Sequence, residues 1–356
     1  MTVSDIAKRA GVSIGTVDRV IHKRGRVSDE TREKIEAILE EGGYRPNPLA
    51  RHLKRARPYN IGVLMPGLDD ESHYWRQVHQ GLLAAKRELA AFAFDISLYP
   101  FSRDDTSSLE RAFFSINKAE CDAWVVAPVL QERMSALLGS TKAPVPLVCI
   151  DSPLPGAHAT VTIAQDPRRG GVLAARLMRL VSRSAGPFAT VRPYAGAFNL
   201  DERVRGFRMA LASTDGAIAN REQTMGFSPL DVICPALDSA TVAVLVDRLL
   251  DEEPALGGIF VASSIGHLVA RQVCVRNRHG DIPVIAWDLV DENVVALDTG
   301  ELDCVIAQRP FEQGRLALHE LYRVLILGED VPLKIDIPLD IHFKENIPED
   351  GGMPTR

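Results

Sequence analysis

The sequence predicts an α/β protein built from two lobes of doubly wound parallel sheet, preceded by a small all-α head. From Asn60 onward, short apolar runs alternate with amphipathic stretches, an alternation typical of repeated βα units. About 300 residues of such units exceed what one sheet usually holds, so we expect two similar lobes with a cleft between them. Before Asn60 the apolar residues recur at helical spacing.

Composition excludes several other classes. The chain has 356 residues, 46% of them apolar and 25% charged, as in ordinary globular proteins. No apolar run approaches the ~20 residues that cross a bilayer, and the first residues lack the segments of a secretory signal. Widely spaced cysteines without a CxxC pair predict reduced thiols in a cytoplasmic protein, with no metal or cofactor. They are Cys121, Cys149, Cys234, Cys274 and Cys304.

The formal charge of −6 hides a split. Residues 1–57 hold 13 basic and 8 acidic residues, whereas the remaining 299 hold 28 and 39. A basic head on an acidic body indicates a module for a polyanion joined to a second function. Chance variation over so short a segment is the alternative.

The head reads as a helix-turn-helix followed by a third helix. Gly11 suits the left-handed turn between the first two helices. We expect three helices, each capped by a serine: residues 5–10 by Ser4, residues 14–22 by Ser13, and residues 29–41 by Ser28.

The second helix has an outward face suited to DNA. Arg19 can donate two hydrogen bonds to a guanine edge. The backbone amides of Ser13 and Ile14 lie at a helix N-terminus, which favours the binding of a phosphate. A generic three-helix bundle with a solvated charged face is the alternative. The outward positions are Ile14, Gly15, Thr16, Asp18, Arg19 and His22.

A proline-containing linker follows the third helix. Asn47 can cap a short basic helix that carries Leu49, Ala50 and Leu53 on one side. So short a helix is marginal alone, so we expect this segment to order only against a partner.

Residues 2–58 closely resemble the DNA-binding head and hinge of the LacI/GalR family of bacterial transcription regulators. The matching residues are Val3-Ser4-Asp5-Ile6-Ala7, Ala10-Gly11-Val12-Ser13, Thr16-Val17, Arg19-Val20, Val27-Ser28, Thr31-Arg32 and Gly43-Tyr44-Arg45-Pro46-Asn47.

The resemblance implies a homodimer on double-stranded operator DNA, because the hinge helices of two subunits pair in the minor groove. It also implies that Leu53 wedges between base pairs and that Ile14, Gly15 and Arg19 read the major groove. Gly15 departs from the family because it has no side chain to touch a base. The DNA-contacting set so implied is Ser4, Ser13, Ile14, Gly15, Thr16, Arg19, His22, Asn47, Ala50 and Leu53.

The body contains apolar runs that predict buried parallel strands, separated by helices. The predicted strands are 61–65, 94–99, 123–127, 145–150, 259–262, 284–287 and 304–307. The predicted helices are 74–89, 109–119, 168–182, 202–212, 239–250, 265–276, 290–299 and 311–327.

Polar and aromatic residues follow the predicted strands, at the edge where such sheets bind ligands. Aromatic rings stack on apolar sugar faces, and carboxylates, amides and guanidinium groups bond to hydroxyls. Taken one at a time, each candidate also has a purely structural interpretation. The aromatic residues can belong to the core, the acids can cap helices, and Arg203 at the start of a helix can form a surface ion pair. The candidates are Ser72, Tyr74, Trp75, Ala127, Asp151, Ser152, Arg203, Ser263, Asp288 and Gln308.

Residues 60–343 also resemble the family's effector domain, which is similar to sugar-binding periplasmic proteins of the ribose type. The matches include Cys149-Ile150-Asp151-Ser152-Pro153, Arg203-Val204-Arg205-Gly206-Phe207 and Trp287-Asp288. The resemblance implies that Tyr74 and Trp75 sandwich a sugar. Ala127 and Ser152 depart from the usual Asn and Arg, which argues against ribose.

The resemblance implies three crossings between the lobes and a division into a head (1–46), a hinge and linker (47–58) and an effector-binding body (59–356). The N-lobe is expected at 59–164 with 309–336, and the C-lobe at 165–308 with 337–356.

The sequence thus predicts a regulator controlled by a small polar ligand, most readily a sugar or polyol. A purine-like ligand is the first alternative, and a solute-binding protein without DNA activity is the second. An enzyme is disfavoured because no nucleophile elbow, P-loop or HExxH motif occurs.

Overall fold

A computed structural model describes residues 2–21, 25–42, 57–68, 73–139, 145–212 and 230–347. The chain divides into two compact units, Met1–Ala56 and Arg57–Arg356. The predicted hinge helix lies outside the described residues.

The first unit is a three-helix head with its own small core. Ile6, Val17 and Ile35, one from each helix, are fully buried in it. Gly11 ends the first helix in the predicted left-handed conformation, and Ser28 caps the third. The helices are α1 (Val3–Ala10), α2 (Ile14–Ile21) and α3 (Asp29–Glu41).

One predicted cap in the head is wrong. Ser4 lies inside the first turn of α1, and the helix is capped by Thr2, whose hydroxyl accepts from the Asp5 amide at 3.2 Å. The Asp5 carboxylate accepts in return from the Thr2 amide at 2.9 Å. This reciprocal capping box satisfies two helix-end donors, which Ser4 could not do from its place two residues later, inside the helix.

The second unit contains two six-stranded sheets, which define two lobes. The first-lobe elements are β1 (Tyr59–Pro66), α4 (Tyr74–Glu88), β2 (Phe94–Phe101), α5 (Thr106–Lys118), β3 (Ala123–Val126), α6 (Gln131–Gly139), β4 (Leu147–Ile150) and β5 (Val161–Ala164). The second-lobe elements are α7 (Pro167–Val181), β6 (Phe188–Pro193), α8 (Phe198–Ala212), β7 (Leu230–Cys234), α9 (Ser239–Glu252), β8 (Gly258–Val261), α10 (Gly266–Val275), β9 (Val284–Trp287), α11 (Asp291–Asp298) and β10 (Cys304–Ala307).

The chain then returns to each lobe in turn. Helix α12 (Pro310–Tyr322), a π-turn (Arg323–Leu327) and β11 (Lys334–Asp336) complete the first lobe, and β12 (Asp340–His342) completes the second. The sheet orders are β11-β5-β4-β3-β1-β2 and β12-β10-β9-β8-β6-β7. Every pairing is parallel except that of β10 with β12, so the two sheets share one strand order and differ only in the direction of the last edge strand.

Each lobe is braced by a pair of helices in close contact, α4 with α12 and α7 with α8. Glycines permit the contact: a Cβ added to Gly171 would lie 1.9 Å from the Arg203 carbonyl oxygen, and one on Gly81 would lie 1.9 Å from that of Phe311. Backbone therefore packs against backbone in both lobes.

Two of the crossings between lobes share a sequence. Ala164-Gln165-Asp166-Pro167 leads from β5 to α7, and Ala307-Gln308-Arg309-Pro310 leads from β10 to α12. In each, the proline occupies the first helical turn, where it needs no amide partner. The glutamines therefore stand at equivalent points of the two lobes.

The seven predicted strands are present, with ends within two residues of the prediction. The prediction missed β5, β6, β7, β11, β12 and helix α6. It also placed Arg203 at the opening of a helix, whereas α8 begins at Phe198 and puts Arg203 in its second turn.

Candidate functional site

A cleft lies where the carboxyl ends of strands from both lobes meet. Of the ten predicted ligand residues, eight line it: Tyr74, Trp75, Asp151, Ser152, Arg203, Ser263, Asp288 and Gln308. Ala127 is buried after β3, and its neighbours Pro128 and Val129 line the cleft instead. Ser72 lies outside the described residues.

Asp151 is the centre of the first-lobe side. Its carboxylate accepts from the Tyr74 hydroxyl at 3.2 Å, the Ser152 hydroxyl at 3.1 Å and the Asn199 amide at 2.8 Å. Asn199 belongs to the second lobe, so this last hydrogen bond joins the two lobes. A second bond between the lobes runs from the Gln77 amide to the Leu289 carbonyl at 3.2 Å.

Arg203 organises the second-lobe side. Its guanidinium donates to the Ala262 carbonyl at 2.9 Å and the Gln308 side chain at 3.3 Å, and it lies 4.0 Å over the Trp287 ring. Gln308 donates onward to Asp288 at 2.9 Å. The buried cation therefore has an aromatic face and fixed acceptors around it, which hold its geometry.

The acids are not helix caps. Asp151 and Asp288 both have left-handed backbones, with φ of 67° and 66°. Helix α11 begins three residues after Asp288 with Val290 before it, and the Asp288 carbonyl accepts from the buried Asn293 amide at 2.8 Å. Both acids are only 7% exposed, so each carboxylate is held at the cleft wall.

Tyr74 and Trp75 serve both packing and the cleft wall. They are 3% and 1% exposed, and their rings meet edge to face with centroids 4.9 Å apart. Burial, with Asp151 and Asp288 nearby, raises the pKa of Tyr74 well above its usual range. The phenol thus stays protonated and donates to Asp151, and both rings belong to the core as well as to the cleft lining.

A buried amide oxygen and a buried hydroxyl oxygen of the cleft lining have no hydrogen-bond partner among the described residues. They are Oδ1 of Asn199 and Oγ of Ser263, and both residues line the cleft. A buried polar atom without a partner costs free energy, so the cleft favours a ligand rich in hydrogen-bonding groups.

Sequence reasoning missed several lining residues, chiefly Arg103, Tyr194, Phe198, Asn199 and Leu237. Arg103 of the first lobe stacks 4.9 Å over the Tyr194 ring of the second. Tyr194 and Asn199 follow β6, a strand that was not predicted. The repeated Ala-Gln-x-Pro segments follow β5 and β10, so they were a signal for the unpredicted strand β5 and not for β6.

The head presents the predicted surface of α2. Ile14, Gly15, Asp18 and Arg19 are exposed, while Val17 and Val20 are buried. Ser13 caps the helix, its hydroxyl accepting from the Thr16 amide at 3.2 Å. His22, Asn47, Ala50 and Leu53 lie outside the described residues.

In the described parts of the chain, no group of three or more His, Cys, Asp or Glu side chains is arranged to hold a metal ion. Among the helices of those same parts, none is long and apolar enough to span a bilayer.

Comparison with known families decides the identity. Residues 2–47 match the family described as bacterial regulatory proteins, lacI family, and residues 61–330 match the periplasmic binding protein domain. The chain belongs to the LacI family. In this LacI-family chain, the second match covers the two lobes and the cleft.

Curated proteins similar in sequence to this LacI-family chain are transcriptional regulators. It is 31% identical to the HTH-type transcriptional regulator DegA of Bacillus subtilis over 215 residues, 59% of this chain and 60% of DegA. The matched part thus spans less than two thirds of that relative.

Solved structures share the fold. The glucose-galactose binding protein GanP from Geobacillus stearothermophilus superposes with a TM-score of 0.71 at 20% identity, covering 82% of this chain and 99% of GanP. The transcriptional regulator CelR in complex with cellobiose gives a TM-score of 0.63 at 22% identity, covering 96% and 98%.

Proposed function

We propose that this chain is a transcriptional regulator that binds operator DNA through its head and responds to a small sugar or polyol in its cleft. The observation that carries the proposal is the buried set of two carboxylates and one guanidinium, Asp151, Asp288 and Arg203, beside aromatic rings. Carboxylates accept hydrogen bonds from hydroxyl groups, and rings cover the apolar faces of a sugar. CelR, bound to cellobiose, and GanP support this ligand class by likeness.

The DNA half of the proposal rests on α2 and on the lacI-family match. The exposed face of α2 carries Ile14 in its capped first turn and Arg19 in its last turn. A recognition helix presents such a face to the major groove. We propose a homodimer, because operator reading by such heads uses two half-sites.

The proposal keeps the boundaries expected from the sequence: a head at 1–46, a hinge and linker at 47–58 and an effector-binding body at 59–356. Ligand and DNA compete or cooperate through a hinge motion of the lobes, and the coupling is reciprocal. The relatives named above are regulators or binding proteins, so no catalytic step is assigned to the cleft.

A thermal-shift screen of the full chain tests the ligand class. The panel comprises cellobiose, D-glucose, D-galactose, D-arabinose, polyols and purines. A sugar at 100 times its Kd should add about 2.7 kcal/mol to the free energy of unfolding. Stabilisation by purines alone would reject the sugar class, and sugar turnover during incubation would reject a pure binding role.

DNA selection from a random duplex library tests the regulator. We expect enrichment of a pseudo-palindromic site whose affinity falls steeply with salt, because phosphate contacts release counterions. The stabilising ligand from the screen should shift that affinity in either direction. An enriched site indifferent to salt, or no enrichment at all, would contradict DNA binding.

A further inference from the structure

Two buried glutamine side chains join the two carboxylates of the cleft. The Gln313 Oε1 accepts from the backbone amide of Asp151 at 2.9 Å, and the Gln313 Nε2 donates to the Gln308 carbonyl at 2.9 Å. The Gln308 Nε2 then donates to the Asp288 carboxylate at 2.9 Å. The path runs from the first lobe, through a crossing segment, to the second lobe.

The chemistry of the partners fixes the orientation of both amides. A backbone N–H only donates and a backbone carbonyl only accepts, so Gln313 must turn its oxygen to Asp151 and its nitrogen to Gln308. Gln308 is fixed in the same way between the Asp288 carboxylate and the Arg203 guanidinium, which donates to Gln308 Oε1 at 3.3 Å. Neither amide can flip without losing both of its bonds.

Gln313 itself does not line the cleft. It is fully buried on α12, and its Nε2 lies 3.5 Å from the Tyr74 hydroxyl oxygen. A buried amide of this kind is costly unless its hydrogen bonds are made, and hydrophobic residues of similar size would pack there without that cost. Its contacts therefore indicate a role exercised through Asp151 and Gln308.

We propose that Gln313 is a positioning residue that fixes the two halves of the cleft relative to each other, so that occupancy at Asp151 is transmitted to Asp288. Of the two measurements that test this role, only that of ligand affinity rests on the proposed function. The hydrogen bonds themselves belong to the fold and are measurable without a ligand.

Two substitutions in the full chain separate this role from packing. Gln313→Met keeps the approximate volume and removes both bonds. Gln313→Glu is neutral at low pH, where its carbonyl oxygen accepts from the Asp151 amide and its hydroxyl donates to the Gln308 carbonyl. Once ionised, the glutamate has no proton to donate. Gln313→Glu should therefore regain wild-type behaviour as the pH falls, and Gln313→Met should not.

Other ionisable groups face this position, so each variant is compared with the wild type at every pH. Those groups are Tyr74 and Asp151, which contact Gln313, and Asp288 and Arg203, which contact Gln308. The matched control is Gln272→Met on α10, because the Gln272 amide donates to Asp247 far from the cleft.

The first measurement is the Kd for whichever of cellobiose, D-glucose, D-galactose and D-arabinose stabilises the wild type. We expect Gln313→Met to weaken it about tenfold at all pH values. Gln313→Glu should weaken it only at pH values at which the buried glutamate is ionised, and Gln272→Met should leave it unchanged.

The second measurement is hydrogen exchange without ligand, on peptides that contain Asp151 and Gln308. Both should exchange faster in Gln313→Met than in the wild type or Gln272→Met, because the Asp151 amide then keeps only the Ile163 carbonyl, at 3.0 Å, as its acceptor. If no sugar binds the wild type, the sugar proposal fails and exchange alone decides the role of Gln313. Wild-type exchange in Gln313→Met, or Gln313→Glu that fails to recover at low pH, would overturn the inference.

Discussion

Asp151 and Asp288 occupy equivalent positions in the two lobes. Each is the first residue after a strand, β4 or β9, and each has a left-handed backbone. The amide of Asp151 donates to the Ile163 carbonyl at 3.0 Å, and that of Asp288 donates to the Ile306 carbonyl at 2.8 Å. A repeated, uncommon backbone conformation thus brings one carboxylate to the cleft from each side.

Asp151→Asn and Asp288→Asn should each weaken sugar binding about 10- to 100-fold, because a hydrogen bond to a charged group contributes roughly 1.5–3 kcal/mol. Asparagine tolerates the left-handed backbone, so the fold should persist. Calorimetric titration measures the effect. The control is the exposed Asp298→Asn, which should bind as the wild type does. Undiminished binding by both cleft variants would remove these acids from the site.

Arg203→Met should lower the free energy of unfolding by about 2–3 kcal/mol, since it leaves the buried Ala262 carbonyl and Gln308 side chain short of a donor. Arg205→Met is the control, because that side chain is exposed and only 3.5 Å from Glu202 in a surface pair, worth less than about 1 kcal/mol. Urea unfolding measures both. Equal losses would contradict the buried role of Arg203.

Gly171→Ala should destabilise the second lobe by about 1–3 kcal/mol, because its Cβ would meet the Arg203 carbonyl oxygen 1.9 Å away. Gly139→Ala in α6 adds a Cβ with nothing within 4 Å, so its stability should stay within about 0.5 kcal/mol of wild type. Thermal unfolding distinguishes the two. A silent Gly171→Ala would mean that α7 and α8 separate easily.

Arg19→Ala should weaken binding to the selected operator by about 1–3 kcal/mol and relax its sequence preference at one position. The Tm should not change, because Arg19 is exposed on α2. Arg9→Ala is the control that tests whether the loss of DNA affinity is specific to Arg19. Arg9 is also basic and exposed, but it pairs with Glu41 at 2.6 Å. Fluorescence anisotropy on labelled duplex would reveal whether the two arginines differ, and equal losses would argue for a merely electrostatic contribution.

The sequence predicted the elements with strong local signals. The head helices carry caps and glycine stops, and the strands around Ile61 and Trp287 are continuous apolar runs. Eight of the residues that it named as ligand candidates line the cleft, because parallel strands all end at one edge.

What it missed depends on tertiary context. Strand β6 contains Arg192, whose guanidinium bonds to Asp231 at 2.9 Å inside the fold, so the segment lacks an apolar pattern. Asn199 reaches the cleft only because the second lobe packs against the first. Gln313 gave no signal at all, since its partners Asp151 and Gln308 come together only in the folded chain.

The return of α12 and β11 to the first lobe has a consequence for synthesis. When the ribosome has finished β5, the first lobe still lacks the helix that packs on α4 and the strand that pairs with β5. Most of the sheet of the second lobe is therefore synthesised before the first lobe is complete. We therefore expect a nascent first lobe to remain exposed until the last tenth of the chain emerges, which makes it the part most dependent on chaperones.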